Sequence, residues 1–116
     1  MVTKTVTNSG LNTVRDALAS AGSDLVVGTD TTPPSVTDTT LGAQVVSKST
    51  TTADVGTGKE EFSARLLTTD ANGDDLAEVG LEDSSGDLLT RLVFAALSKT
   101  SDFELEIQIT AEVSNP

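Results

Sequence analysis

The sequence has no cysteine, histidine, tryptophan or tyrosine, and only three phenylalanines and seven basic residues among its 116 positions. Without cysteine there is no disulfide, no thiolate metal site and no cysteine nucleophile. Without histidine, imidazole general-base chemistry and the usual zinc sites are excluded. Without tryptophan and tyrosine the commonest stacking platforms and binding anchors are missing. Any enzyme would have to be built from Asp, Glu, Lys, Ser and Thr, so no catalytic residue and no cofactor is expected. No stretch approaches the ~20 apolar residues of a membrane-spanning helix. Met1 to Gly10 holds one Lys and no apolar block, so a signal peptide is not expected. The length suits one domain, residues 1–116, able to bury roughly two-thirds of its unfolded surface.

Acids are plentiful: eleven Asp and seven Glu against four Lys and three Arg, for a net charge of −11. Such a field repels nucleic acid, whose binding rests on neutralising phosphates, and it repels anionic membranes. The charges are spread along the chain, which describes a solvated surface rather than a charged tail. An acidic surface poor in lysine and aromatics is expected of a protein that works in concentrated salt, where screening removes the self-repulsion of the compact state.

Nineteen Thr and twelve Ser favour half-exposed strands over helices. One helix is expected near the start. Asn8 and Ser9 are good capping types, Leu11, Val14, Leu18 and Ala21 recur at helical spacing with Asn12, Arg15, Asp16 and Ala19 opposite, and Gly22 supplies a left-handed stop. Asp24 to Thr29 predicts a short buried strand. Asp30 to Thr40, with its paired prolines, predicts an extended loop. Leu41 to Lys48 predicts a strand, and Ser49 to Lys59 a mobile polar loop.

The second half is more regular. Phe62, Ala64 and Leu66 alternate with Ser63 and Arg65, and Leu76 to Glu82 follows across Asn72-Gly73, a strong hairpin signal. Ser84 to Asp87 predicts a second turn. Leu88 to Leu97 is nearly all apolar, which predicts a strand covered on both faces, central in its sheet or at a subunit contact. Phe103 to Val113 alternates without a break. Together these predict a three-strand antiparallel meander over residues 61–113. The expected fold is all-β, a mainly antiparallel, jelly-roll-like β-sandwich with one short N-terminal α-helix.

Four groups of residues invite a chemical reading. Asp70, Asn72 and Asp74 resemble the opening of a calcium loop. The positions where that loop needs Gly and Glu hold Asp75 and Leu81, so a plain hairpin turn is expected and no metal site. Gly56-Thr57-Gly58-Lys59 hints at a phosphate loop, but Glu60 and Glu61 follow it and would repel phosphate. Glu78 and Glu82 lie about 13 Å apart along a strand at ~3.3 Å per residue, too far for a pair of acid–base carboxylates. They, with Glu104, Glu106 and Glu112, read as solvated strand faces. Arg65 and Arg91 are scarce cations in strands, and Arg91 sits in an apolar run where an unpaired charge is costly, so it should pair with an acid across strands or subunits.

Taken in order, the elements resemble a family of small structural proteins of tailed viruses, tail- or tail-fibre-associated proteins of bacterial and archaeal viruses. The resemblance runs through Thr7-Asn8-Ser9-Gly10-Leu11-Asn12, Val27 to Asp30, Thr32 to Gly42, Glu78 to Phe94 and the closing strand Phe103 to Val113. Asp30 stands where the family often has Gly. Gln44 and Ser47-Lys48 replace an acid-plus-Arg pair. The resemblance implies a non-enzymatic subunit that assembles into a virion with copies of itself and other virion proteins, as a capsid decoration or turret or a tail component. With the acidic surface it implies a virus of a salt-loving host. The alternative is a β-sandwich module that binds a host receptor or glycan, against which the lack of Trp and Tyr counts.

Overall fold

The computed structural model describes residues 5–115; Pro116 lies outside them, as do Met1 to Lys4, part of the segment screened for a signal peptide. One helix, α1 (Asn8–Ala21), precedes seven strands: β1 (Asp24–Gly28), β2 (Gln44–Ser49), β3 (Thr51–Gly56), β4 (Lys59–Leu66), β5 (Asp75–Glu82), β6 (Leu88–Ser98) and β7 (Leu105–Glu112). All strand pairs are antiparallel, in a four-stranded sheet of order β2-β1-β5-β6 and a three-stranded sheet of order β3-β4-β7. This is the antiparallel sandwich with one short helix that the composition predicts. Its core lies between the sheets: Leu25, Val27, Val79 and Leu81 from the first, and Phe62, Leu66 and Ile109 from the second.

Several expectations need correcting. Thr7, not Asn8 or Ser9, caps α1, its hydroxyl accepting from the Gly10 N–H at 3.1 Å. Gly22 ends the helix at φ −70°, with no left-handed turn. It is needed for space: a Cβ there would sit 2.6 Å from the Phe62 ring and 3.0 Å from Leu81. The inward side of α1 is also rotated from the predicted stripe. Leu11 is buried and Leu18 packs on the core, but Val14 is 48 % exposed. Arg15 takes the inward place instead, with its guanidinium 3.0 Å from Asp54 and 3.6 Å from the buried Glu60. Its apolar stem covers surface that Val14 was expected to cover.

Ser49 to Lys59 is not a mobile loop. Most of it is β3, an exposed edge strand paired with β4, and the chain passes between the sheets at Thr50. There the Thr50 N–H donates to the Ser23 carbonyl at 3.0 Å and its hydroxyl donates to the Gly22 carbonyl at 3.0 Å. A polar strand at a sheet edge lacks the buried face that gives alternation, so nothing in its pattern separates it from a loop.

The meander over 61–113 is also corrected. Only β5 and β6 form the hairpin expected there, around Ser84 to Asp87. β4 pairs with β7, and β5 pairs with β1. The Asn72-Gly73 segment does turn, with Ala71 at φ 53° and Gly73 at φ 87°, but it carries the chain from one sheet to the other. Finally, β6 is neither central nor covered on both faces: it is the outer strand of the wider sheet.

Candidate functional site

The segment between β1 and β2 lies over the outer face of the first sheet as a strap. Its own Leu41 is buried against the sheet, and β1 and β5 are apolar on both faces because both are covered. One charge stands in the middle of that buried surface. Glu78 of β5 is 0 % exposed, which overturns its reading as part of a solvated strand face. Its carboxylate accepts from the strap's own amides, Asp30 at 3.0 Å, Gly42 at 2.9 Å and Ala43 at 2.8 Å, and from Arg91 Nε at 3.0 Å. Gly28 lets the strap close: a Cβ there would stand 2.4 Å from the Ala43 carbonyl oxygen.

Arg91 pairs as its apolar setting demands. With a side chain only 5 % exposed, it reaches Glu78 at 3.0 Å, Asp38 at 3.2 Å and Asp30 at 3.5 Å. Hairpin geometry brings the two charges together: Gly80 is opposite Arg91, and Glu78 is opposite Val93. So one strap carries two carboxylates to an arginine, and one buried carboxylate holds three amides of the strap. Burial pushes the Glu78 carboxyl up, but the three amides and the Arg91 guanidinium outweigh it, leaving its pKa below the ordinary value. Hydrogen bonds from the Thr32 amide and hydroxyl, with Arg91 beside it, hold Asp30 low as well.

Beside the cluster the strap borders an open hollow of about 350 Å³, lined mainly by Thr32, Thr37, Thr39 and Thr40 and by Asp30 and Asp38. No aromatic ring lines it.

The other candidate residues are spoken for within the chain. Asp70 accepts from Lys48 at 2.6 Å and from the Leu67 amide at 2.7 Å, and the lysine is the chief reason its pKa lies low. The Asn72 carboxamide oxygen accepts from Lys99 at 3.2 Å. Lys99 is fully buried, and its ammonium also donates to the Leu67 and Thr100 carbonyls, 5.3 Å from the Phe103 ring centre. Two of the three residues of the calcium-loop reading thus pair with lysines, Asp70 with Lys48 and Asn72 with Lys99. Among the described residues no group of three acidic side chains converges as a metal site, and no helix is long and apolar enough to cross a membrane. Gly56 to Lys59 is the β3–β4 turn, and the Gly58 amide donates to the Asn12 side chain at 2.9 Å. Glu82 is half-buried beside Asp24 and Asp83, and burial, then these two charges, raises its pKa. Arg65 lies 3.7 Å from Glu104 and 3.6 Å from Glu106 on an exposed strand face, where such pairs contribute little.

These shifts set the response to acid. Glu78, Asp30 and Asp70 have lowered pKa values in the fold, so their stabilisation is complete above the unfolded-state values near 4. It is lost as the pH falls through those values and then through the folded ones. Glu82 acts in the opposite sense, but alone. In molar salt, where relief of the net negative charge is screened out, the urea midpoint is expected to fall steadily from pH 5 to pH 2. A midpoint that rises over that range would show that the strap carboxylates are not held as described.

The second feature is β6 itself. Leu89, Leu92, Phe94 and Leu97 are 39, 49, 38 and 40 % exposed, four of the ten large apolar side chains open to solvent among the described residues. Leu92 is opposite Val79, on the face that carries the core. It is uncovered because this sheet is one strand wider than the sheet beneath it. No charge on β6 is free, since Arg91 is enclosed. Sequence reasoning gave this apolar run two readings, a central strand or a subunit contact, and the edge position removes the first. Compared with known proteins, the chain matches no family model and no curated protein.

Proposed function

We propose that this chain is a non-enzymatic structural protein of a tailed-virus particle, acting by assembly as a capsid decoration or turret or as part of a tail appendage. The observation that carries the assembly reading is β6, an outer strand with four exposed large apolar side chains, whose one charge, Arg91, is enclosed by the strap. Isolated apolar residues on a surface are ordinary, but a row of them along one open strand marks a contact surface. The tailed-virus context rests on the resemblance in sequence. Its segments Thr32 to Gly42 and Glu78 to Phe94 are the strap and the β5–β6 hairpin that the ion cluster joins.

The test is to locate the chain on particles. Gold-labelled antibody is expected to decorate purified virions, on the capsid for a turret or decoration protein and on the tail for an appendage. Particles that carry no label while the infected cell contains the chain would end this reading.

A second reading, recognition of a host receptor or glycan, is favoured by the hollow at the strap, whose threonines and acids are of the types that bind a sugar's hydroxyls. It predicts saturable binding to members of a glycan panel, lost in the Thr39→Val, Thr40→Val double variant. Absence of any binding across the panel would leave the assembly reading alone.

A further inference from the structure

We infer that Asn72-Gly73 is a latent site of self-modification, kept unreacted in the fold because Lys99 holds both of the groups that would react. The reaction is cyclisation of an asparagine on its own backbone. The Gly73 nitrogen attacks the Asn72 side-chain carbonyl carbon and forms a C–N bond. The amide proton passes to solvent, and the carboxamide nitrogen takes up a proton and leaves as ammonia. Water then breaks one of the two C–N bonds of the succinimide ring, giving aspartate or isoaspartate. No co-reactant besides water is needed. Glycine favours this ring closure more than any other following residue, because no side chain hinders the attacking nitrogen. Asn72-Gly73 is the one Asn-Gly pair among the four asparagines of the chain. Both residues are exposed, and the place where a Gly73 Cβ would stand is open space, so water has access and nothing crowds the nitrogen.

The restraint comes from Lys99, buried just beyond the end of β6. Its backbone carbonyl accepts from the Gly73 N–H at 2.9 Å, and its ammonium donates to the Asn72 carboxamide oxygen at 3.2 Å. The Asn72 NH2 donates to the Thr68 carbonyl at 2.7 Å, so the side chain is tied at both of its polar atoms. An ammonium on that oxygen polarises the carbonyl and by itself would ease attack. Attack also requires the Gly73 nitrogen to swing onto the side-chain carbon and give up its proton, which breaks its bond to the Lys99 carbonyl. The turn around it is fixed as well. The Asp74 N–H donates to the Ala71 carbonyl at 3.2 Å, and the Lys99 N–H donates to the Asp74 carbonyl at 2.9 Å. The ammonium anchors Lys99 to the loop through the Leu67 carbonyl at 3.0 Å. Reaction therefore waits for the loop to open. Isoaspartate carries the backbone through the side chain and lengthens it by one carbon, at a turn where Ala71 and Gly73 hold positive φ. The modification is one-way, and it falls on the segment that carries the chain from one sheet to the other.

Peptide mapping by mass spectrometry follows the site in the full chain stored at constant temperature, beside the same chain unfolded in guanidinium chloride. The folded chain is expected to deamidate at Asn72 at least about 10-fold more slowly, because hydrogen bonds must break first. Hydrogen exchange on the same samples should show the Gly73 amide opening more often than that of Val79 in the core strand β5, with deamidation following Gly73. Lys99→Met keeps the backbone carbonyl and removes the ammonium. It should speed Gly73 exchange and Asn72 deamidation together by about 10-fold, while Val79 stays protected. The comparison of folded with unfolded chain needs no variant: equal rates would overturn the inference. A folded chain whose deamidation follows Val79 would place the reaction in global unfolding and overturn the part given to Lys99. So would a folded Lys99→Met chain with both rates unchanged, or one in which Val79 loses protection along with Gly73.

Discussion

Glu78→Ala is expected to cost about 3–5 kcal/mol, the usual result of breaking a buried ion pair by removing one partner. The loss is large because the carboxylate has two duties. It neutralises Arg91, which would remain in an apolar strand with only the partly exposed Asp30 and Asp38. It also accepts from the amides of Asp30, Gly42 and Ala43, which would lose their acceptor. Urea unfolding gives the total. Hydrogen exchange separates the duties, since those three amides should lose protection before the strands do. Glu78→Gln keeps the shape but turns an NH2 group towards donors, so it should fall between wild type and Glu78→Ala. Adding Arg91→Met to Glu78→Ala should recover part of the loss by removing the stranded charge. A loss below 1 kcal/mol with the amides still protected would mean that the strap is held by something else.

Phe62→Ala is expected to cost about 3–5 kcal/mol and to lower the melting temperature by about 12–20 °C, at roughly 4 °C per kcal/mol. Phe62 is fully buried, lies opposite Ile109 in the sheet, and presses against the one place in the helix-to-strand turn where only glycine fits. Its neighbours come from both sheets and from the end of α1, so the void left by truncation cannot collapse from one side. Since a domain of this size is stable by about 5–15 kcal/mol, the variant should sit close to unfolding. Phe94→Ala supplies the contrast: its ring is 38 % exposed, and in dilute buffer truncation should cost less than 1 kcal/mol. Equal losses at the two positions would contradict this placement of the core.

What could be read from the sequence was local. The helix, β1, the alternation of β4 and β7 and the β5–β6 hairpin are patterns within a few residues of each other, and each was legible. Pairing was not, because β4 meets β7 and β1 meets β5 across long stretches of chain, and antiparallel partners leave no mark in periodicity. β3 was hidden by its threonines and its exposure. Arg91 was understood because a charge in an apolar run has to be paired. The same reasoning applied to Glu78, the lone charge among Leu76, Ala77, Val79, Gly80 and Leu81, would have found its partner. Counting outward from the turn at Ser84 to Asp87 puts the two residues in diagonal register. Only the strap's share of the cluster lay beyond reach, since Asp30 and Asp38 look like any acids in a proline-containing loop. β6 left two readings open for a physical reason: apolar side chains mark surface that avoids water, whether the cover is the chain itself or another one.

The passage of one stretch of chain through both sheets at Thr50 has a mechanical consequence. β2 is bonded to β1 and β3 to β4, and the two strands are joined end to end. Tension drawn along that stretch loads both ladders in shear, so their hydrogen bonds resist together instead of opening one after another. In a chain without disulfides, this shared strand ties the two layers together under load.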